Sequence, residues 1–171
     1  MGSSGLCEMH EGVSDVTEIL LRAAQGRDIE AIVGMNHALF QEDSGTRDPF
    51  TNQERARQEG ADYFSSHVTS DRSLVLVAES GGEPVGYLIG YLRHPQSVRP
   101  VTIAELESMF VAQGERSRGV GLQLIDAFVP WSQNRDVARM SVTAFASNDA
   151  AIRFYERCGF EPHTVALERS L

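Results

Sequence analysis

Six residues, Arg116-Ser117-Arg118-Gly119-Val120-Gly121, lie between an apolar run, Val101 to Val111, and an amphipathic stretch that starts near Gly119. A glycine-rich turn entering a helix aims several unpaired backbone N–H groups and the positive end of the helix dipole at one point. Gly119 and Gly121 carry no Cβ to hold a phosphate away from the backbone, and Arg116 and Arg118 add fixed positive charge. The chemistry this pattern suits is the cradling of a pyrophosphate. A plain helix start with glycines for close packing fits the same residues, and both readings stay open at this level.

A second constellation precedes the turn. Glu105 and Glu107 stand two apart in the run A-E-L-E-S-M-F-V, so regular strand pairing puts both on one face. Carboxylates on a central strand are costly unless they are hydrogen-bonded or face a cleft. A bulge in this strand would change which residues face that cleft.

Periodicity and punctuation give the elements around these groups. Thr17 to Ala23 reads as a first strand. Asp28 then caps a helix to about Phe40, with Ile29, Ile32, Val33, Asn36 and Leu39 or Phe40 along one face. Gln41 to Asn52 is a polar loop, and Thr51 with Glu54 forms a capping box for a second helix ending near Val68. Leu74 to Glu79 and Val85 to Leu92 read as a hairpin around Ser80-Gly81-Gly82-Glu83. Val101 to Val111 is the fourth strand. The helix after the glycine-rich turn runs to about Gln133, with Val120, Leu122, Leu124, Ile125 and Phe128 or Val129 inward. Ala138 to Phe145 is a strand, Asn148 to Cys158 a helix stopped by Gly159, and Phe160 to Glu168 a last strand. The order makes this a mixed α/β (α+β) layer structure.

Composition narrows the function classes. The 171 residues fit one domain at ~100–200 residues each. We expect it to span 16–171 after a flexible start at 1–15, where Met1-Gly2-Ser3-Ser4-Gly5 looks partly like an expression remnant. With 42% hydrophobic residues the chain can build a core without staples. Cys7 and Cys158 make no disulfide framework, which suits a reducing cytoplasm, and the five scattered histidines suggest no metal site. A formal charge of −9 argues against a broad nucleic-acid face and suits a small anionic cofactor held by a few arginines. No apolar run reaches the ~18 residues of a membrane span, and the N-terminus does not read as a signal peptide.

Taken from about Val16 to Leu171, the order and two local motifs resemble the GNAT superfamily of acetyl-CoA-dependent N-acetyltransferases. Arg116-x-x-Gly119-x-Gly121 stands five residues after Val111, like that family's Q/R-x-x-G-x-G/A signature after the fourth strand. Asn148-Asp149-Ala150-Ala151-Ile152-Arg153-Phe154-Tyr155-Glu156-Arg157-Cys158-Gly159-Phe160 looks like its N-x-x-A-x-x-x-Y-x-x-x-G-F helix. The resemblance implies a mixed, mostly antiparallel sheet of about six strands flanked by four helices and splayed between the fourth and fifth strands. It also implies acetyl-CoA as co-substrate, with no metal. The backbone of Arg116, Ser117, Arg118, Gly119, Val120 and Gly121 would hold the pyrophosphate, and Met109, Phe110 and Val111 would pair with the pantetheine arm.

Asn148 and Tyr155 are seven apart, close to two helical turns, and so share one helix face. By the resemblance that face lines the cofactor's sulfur end, and Tyr155 protonates the departing thiolate. A ring packed with its hydroxyl at the surface is the other reading of Tyr155. The base expected from the fourth strand is Glu107, with Glu105 second, because an amine must lose a proton before it attacks a thioester.

Two departures matter. Ribosomal-protein-type N-terminal acetyltransferases often carry a glutamate five residues before the motif asparagine, and this chain has Thr143 there. The short tail after Gly159 leaves an open acceptor mouth or an unpaired edge, so a homodimer is expected. Glu42, Asp43 and Asp48, partly offset by Arg47, make the interhelical loop either a solvated loop or an attractor of a cationic small molecule. Phe40, Phe50, Tyr63 and Phe64 line that site or belong to the core. The expected activity is acetyl transfer to a primary amine of a small molecule, such as a cationic metabolite or amino-bearing antibiotic. A protein lysine or N-terminus as acceptor, and a non-catalytic acyl-CoA sensor, are the alternatives.

Overall fold

The computed structural model describes residues 18–169, apart from the side chains of residues 53 and 55–57. The expectations for residues 1–15 and for Thr17 therefore lie outside the described residues. Chain order is β1 (Ile19–Ala23), α1 (Ile29–Glu42), α2 (Ser44–Arg47), α3 (Gln53–Val68), β2 (Ser73–Ser80), β3 (Glu83–Arg93), β4 (Ile103–Val111), α4 (Val120–Gln133), β5 (Arg139–Val142) and α5 (Asp149–Arg157).

The strands pair in chain order. β1 to β4 form an antiparallel meander, and β5 joins β4 in parallel through the α4 crossover. Alternation along the strands feeds two cores. Leu76, Ala78, Leu88, Ala104 and Leu106 pack with Val120, Leu124, Ile125 and Phe128 of α4, joined at the margin by Phe154 and Tyr155 of α5. On the other face Val75, Val77, Tyr87, Ile89 and Phe110 pack with Ile32 of α1 and Phe64 of α3. The two motif helices and the two N-terminal helices thus sit on opposite sides of the sheet.

Several expectations change. The sheet has five strands rather than six, because residues 161–169 form no strand. Val165 and Leu167 in that segment are 79% and 90% exposed, so their period-2 pattern is not paired into the sheet, and Pro162 lacks a backbone donor. β5 is confined to Arg139–Val142, and residues 143–145 leave the sheet. Leu122 is 47% exposed because the buried stripe of α4 follows the four-residue spacing Val120, Leu124, Phe128.

Asp28 does not cap α1 with its side chain. Its buried carboxylate accepts from Arg22 of β1 at 2.7 and 2.8 Å and from the Gln25 N–H at 2.7 Å. The Arg22 bond holds its pKa below the usual range. Thr51 donates its hydroxyl to Asp48 at 3.2 Å, and α3 starts one residue later than a box on Thr51 requires.

Candidate active site

β4 carries the site because its two halves have different neighbours. Its parallel ladder with β5 ends at Leu106↔Val142, so, among the described residues, 107–111 pair only with β3. The strands part there, as expected between the fourth and fifth.

The bulge raised by the sequence falls at the same point. Ile89 pairs with Ser108 and Gly90 with Leu106, which leaves Glu107 as the extra residue. Glu107 and Ser108 consequently both turn to the α1/α3 side. Glu107 accepts a hydrogen bond from the Tyr63 hydroxyl of α3, and Ser108 bonds the Tyr87 hydroxyl at 3.0 Å. Past the bulge Phe110 enters the α1/α3 core, whereas Met109 and Val111 pack on the α4 side.

A buried polar group pins this geometry. Tyr87, fully buried, donates to Asn36 of α1 at 2.8 Å, so the Ser108 hydroxyl donates to it in turn. Glu105, opposite Tyr91 across the ladder, accepts from Ser141 of β5 at 3.1 Å and pairs with Arg93 at 3.1 Å. The two glutamates on one strand face therefore differ: Glu105 is half-buried against a cation, and Glu107 is exposed against a neutral phenol.

Tyr63, which bonds Glu107, belongs to a row of rings. His67 lies 4.5 Å from the Tyr63 ring and 5.9 Å from Tyr91, centroid to centroid, and its Nδ1 bonds Ser73 at 2.7 Å. Burial raises the pKa of Tyr63 most, and the bond to Glu107 adds to it. Burial, then the charges of Glu107 and Glu105, raises that of Tyr91. Of the aromatics expected near an acceptor, Phe64 is core, Phe50 is 91% exposed, and Tyr63 reaches the gap. Tyr87 and Ser108 carried no local signal; Asn36 did, as a polar residue on the inner face of a helix.

The glycine-rich turn sits beside the end of β4. Ser117 and Gly119 have φ of 63° and 84°, so the chain makes two left-handed residues before α4. A Cβ on Gly119 would meet nothing within 4 Å, whereas one on Gly121 would lie 3.2 Å from the Phe154 ring. The two readings of the glycines thus divide between them: Gly119 serves the open turn, and Gly121 serves packing of α4 on α5. No side chain caps α4, so its first N–H groups point outward at the turn.

Both arginines of the turn are engaged. Arg116 donates from Nε to the Val111 carbonyl at 2.8 Å and meets Glu42 at 2.6 Å, with its guanidinium over the Phe110 ring. Arg118 pairs with Glu115 at 2.5 Å.

The second motif arrives from α5. Asn148 caps that helix, its Oδ1 accepting from the Ala151 N–H at 3.1 Å, while its Nδ2 donates to Asp43 at 2.9 Å. Tyr155 packs edge-on with Phe154 and Phe160. Burial, then the charge of Asp43, pushes its phenol up to about 12. The corner between α1 and α2 therefore touches both motifs, through Glu42 and Asp43. Those acids, read from sequence as a cation attractor, are already paired with Arg116 and Arg47. Among the described residues no group of three or more His, Cys, Asp or Glu could hold a metal, and no helix is long and apolar enough to cross a membrane.

Comparison with known proteins agrees with this geometry. The chain is 29% identical over 103 residues to the uncharacterized N-acetyltransferase MJ1207 of Methanocaldococcus jannaschii, covering 60% of this chain and 46% of that protein. It is 23% identical over 133 residues to the spore coat polysaccharide biosynthesis protein SpsD of Bacillus subtilis, covering 78% and 44%. The chain thus spans about half the length of these relatives.

Among solved structures, a mutant of the BH1408 protein from Bacillus halodurans superposes with a TM-score of 0.75 at 18% identity, covering 89% of this chain and 99% of that one. The aminoglycoside N-acetyltransferase AAC(6')-Iy, solved in complex with CoA, does so with a TM-score of 0.71 at 21% identity, covering 92% and 98%. At such identities the likeness concerns the fold. The profile of the Acetyltransferase (GNAT) family matches residues 36–160, a span that includes the bulged strand, the glycine-rich turn and the Asn148 helix. The chain belongs to the acetyltransferase (GNAT) family.

Proposed function

We propose that this chain transfers an acetyl group from acetyl-CoA to a primary amine of a small molecule by direct attack in a ternary complex. The observation that carries the reading is the arrangement around Tyr87. Its buried hydroxyl bonds Ser108, the neighbour of Glu107 on β4, just past Leu106 where β5 leaves that strand, and Tyr155 of α5 packs against the core on the opposite face of the sheet.

The residues present fit the donor. The uncapped start of α4 and the open turn at Gly119 suit a pyrophosphate, and the β4 edge at residues 107–111 suits an extended amide chain. Met109, Phe110 and Val111 would supply that edge, and Arg116 to Gly121 the cradle. Asn148 would hold the wall beside Tyr155.

In the proposed reaction Glu107 takes the proton that the ammonium must lose, and its exposure lets that proton pass to water. The freed nitrogen attacks the thioester carbonyl, the C–N bond forms, the nitrogen sheds its second proton to solvent, and the C–S bond breaks. Tyr155 gives its proton to the departing thiolate and regains one from solvent. At about 12 the phenol keeps its proton through neutral pH, and a thiolate desolvated in the same gap is more basic than in water. The net change is one acetyl transferred and one proton released. Glu105 supports β4 and β5 through Ser141 and Arg93 rather than meeting the amine.

Thiol release from acetyl-CoA in the presence of an amine panel tests this. An enzyme frees CoA with some amine, whereas a sensor gains melting temperature with acetyl-CoA and frees none. Transfer only to peptides would replace the small-molecule acceptor with a protein one. Among the described residues β5 pairs only with β4, and its other edge is the surface we assign to a homodimer; a monomer by light scattering at micromolar concentration would exclude it.

A further inference from the structure

The acceptor's own chemistry is written in how the acidic residues around the gap are spent. Asp48 is held within its own loop by the Phe50 N–H at 2.9 Å and the Thr51 hydroxyl at 3.2 Å, while Asp43 and Glu105 already face guanidinium groups, Arg47 at 2.7 Å and Arg93 at 3.1 Å, and Glu42 meets Arg116 at 2.6 Å at the turn assigned to the donor. Glu107 differs from the last three in having a neutral partner, the Tyr63 hydroxyl. Beside it the rings of Tyr63, His67 and Tyr91 form a half-buried wall contributed by α3 and β3.

We infer that the acceptor subsite is this wall with Glu107 at its head, and that it takes a primary amine bearing a single ammonium on an apolar or aromatic carbon frame. Tyr63 is the positioning residue that holds Glu107 toward that ammonium. The inference deepens the reaction proposed above and rests on it.

One uncommitted carboxylate neutralises one ammonium. A second positive charge on the same substrate would lie among rings, which attract a cation without neutralising it, or would have to break an existing ion pair. Pockets for small molecules are mostly apolar and aromatic with few placed polar groups, and this wall with one carboxylate has that composition.

An exposed glutamate on a long side chain samples many rotamers, and its bond to a half-buried phenol restricts them. Tyr63 is itself fixed by ring contacts to Phe64 at 5.4 Å and His67 at 4.5 Å, so α3 sets where the carboxylate points.

The test is steady-state kinetics on the full chain with 2-phenylethylamine and spermidine as acceptors, for the wild type, Tyr63→Phe, Glu107→Gln and the double variant. The expected kcat/KM is at least about tenfold higher for the monoamine. Tyr63→Phe keeps the ring and should lower kcat about tenfold with the KM for acetyl-CoA unchanged. It should add no further loss in the Glu107→Gln background. An unchanged rise in melting temperature with acetyl-CoA checks that the variant is folded. Equal or better turnover of spermidine overturns the single-charge assignment. Loss in the double variant equal to the product of the single losses, or no loss in Tyr63→Phe, overturns the positioning role. Absence of CoA release with every amine would overturn the underlying reaction and this inference with it, an outcome distinct from the other two.

Discussion

Arg116 in the glycine-rich turn and Glu42 at the end of α1 meet at 2.6 Å, 74 residues apart in sequence. The same guanidinium holds the Val111 carbonyl at 2.8 Å, so one side chain joins α1, β4 and the turn. A carboxylate thus stands where a phosphate of the donor would compete for the arginine. Glu42→Gln should tighten CoA binding by about two- to fivefold at low ionic strength, the size expected of an exposed pair worth ~0–1 kcal/mol, and added salt should erase the gain. Calorimetric titration checks it, and weaker binding by the variant would show that Glu42 places Arg116 rather than competing for it.

Tyr155→Phe separates proton donation from packing. The ring contacts to Phe154 and Phe160 survive, while the hydroxyl is lost. We expect kcat to fall by about 10²-fold or more with the KM for acetyl-CoA within about twofold of wild type. In the wild type a phenol pushed up to about 12 should leave no alkaline loss of kcat from this group until the pH approaches that value. Unchanged turnover in the variant would remove the acid role.

Tyr87→Phe tests what fixes the bulge. Its hydroxyl joins Asn36 at 2.8 Å and Ser108 at 3.0 Å, and the variant strands both partners. The expected cost is ~1–3 kcal/mol by urea unfolding, with a larger loss of kcat than of acetyl-CoA affinity because Glu107 neighbours Ser108. A variant as stable as wild type would mean that water replaces the phenol.

Alkaline stability follows from the chain's four tyrosines, all with pKa values raised above 10.0, chiefly by burial. Below pH 10 both folded and unfolded states keep these protons, so the stabilisation is fully present. As the pH rises past 10 the unfolded chain releases protons that the fold retains, and stability falls until the folded values are passed. Urea midpoints should therefore drop steeply above pH 10, with tyrosinate absorbance appearing together with unfolding. Tyrosinate formation well before unfolding would contradict the buried phenols.

Much of the local geometry at the proposed donor side was legible in the chain because its determinants are local. A left-handed glycine before a helix, an uncapped helix start and an N-cap asparagine are set by neighbours a few residues away, and Gly119 and Asn148 stand in those roles. The apolar periods of β2, β3 and α4 likewise announced their elements. The last strand failed for a related reason: alternation at Val165 and Leu167 records strand propensity, and propensity supplies no partner.

The acceptor side was decided only by tertiary structure. Whether Glu105 or Glu107 stays uncommitted depends on Arg93 and Ser141 reaching one and Tyr63 the other, and Tyr63 is 44 residues away. The bulge that turns Glu107 and Ser108 the same way arises from register against β3 and from the buried Tyr87–Asn36 bond. Glu42 and Asp43 read in the chain as a solvated loop or a cation attractor partly offset by Arg47, and only folding brings Arg116 and Asn148 to them. Local backbone chemistry thus determined the turn and the helix cap that we assign to the donor. The charge state and direction of the groups facing the acceptor came from contacts between distant segments, which spacing along one chain does not encode.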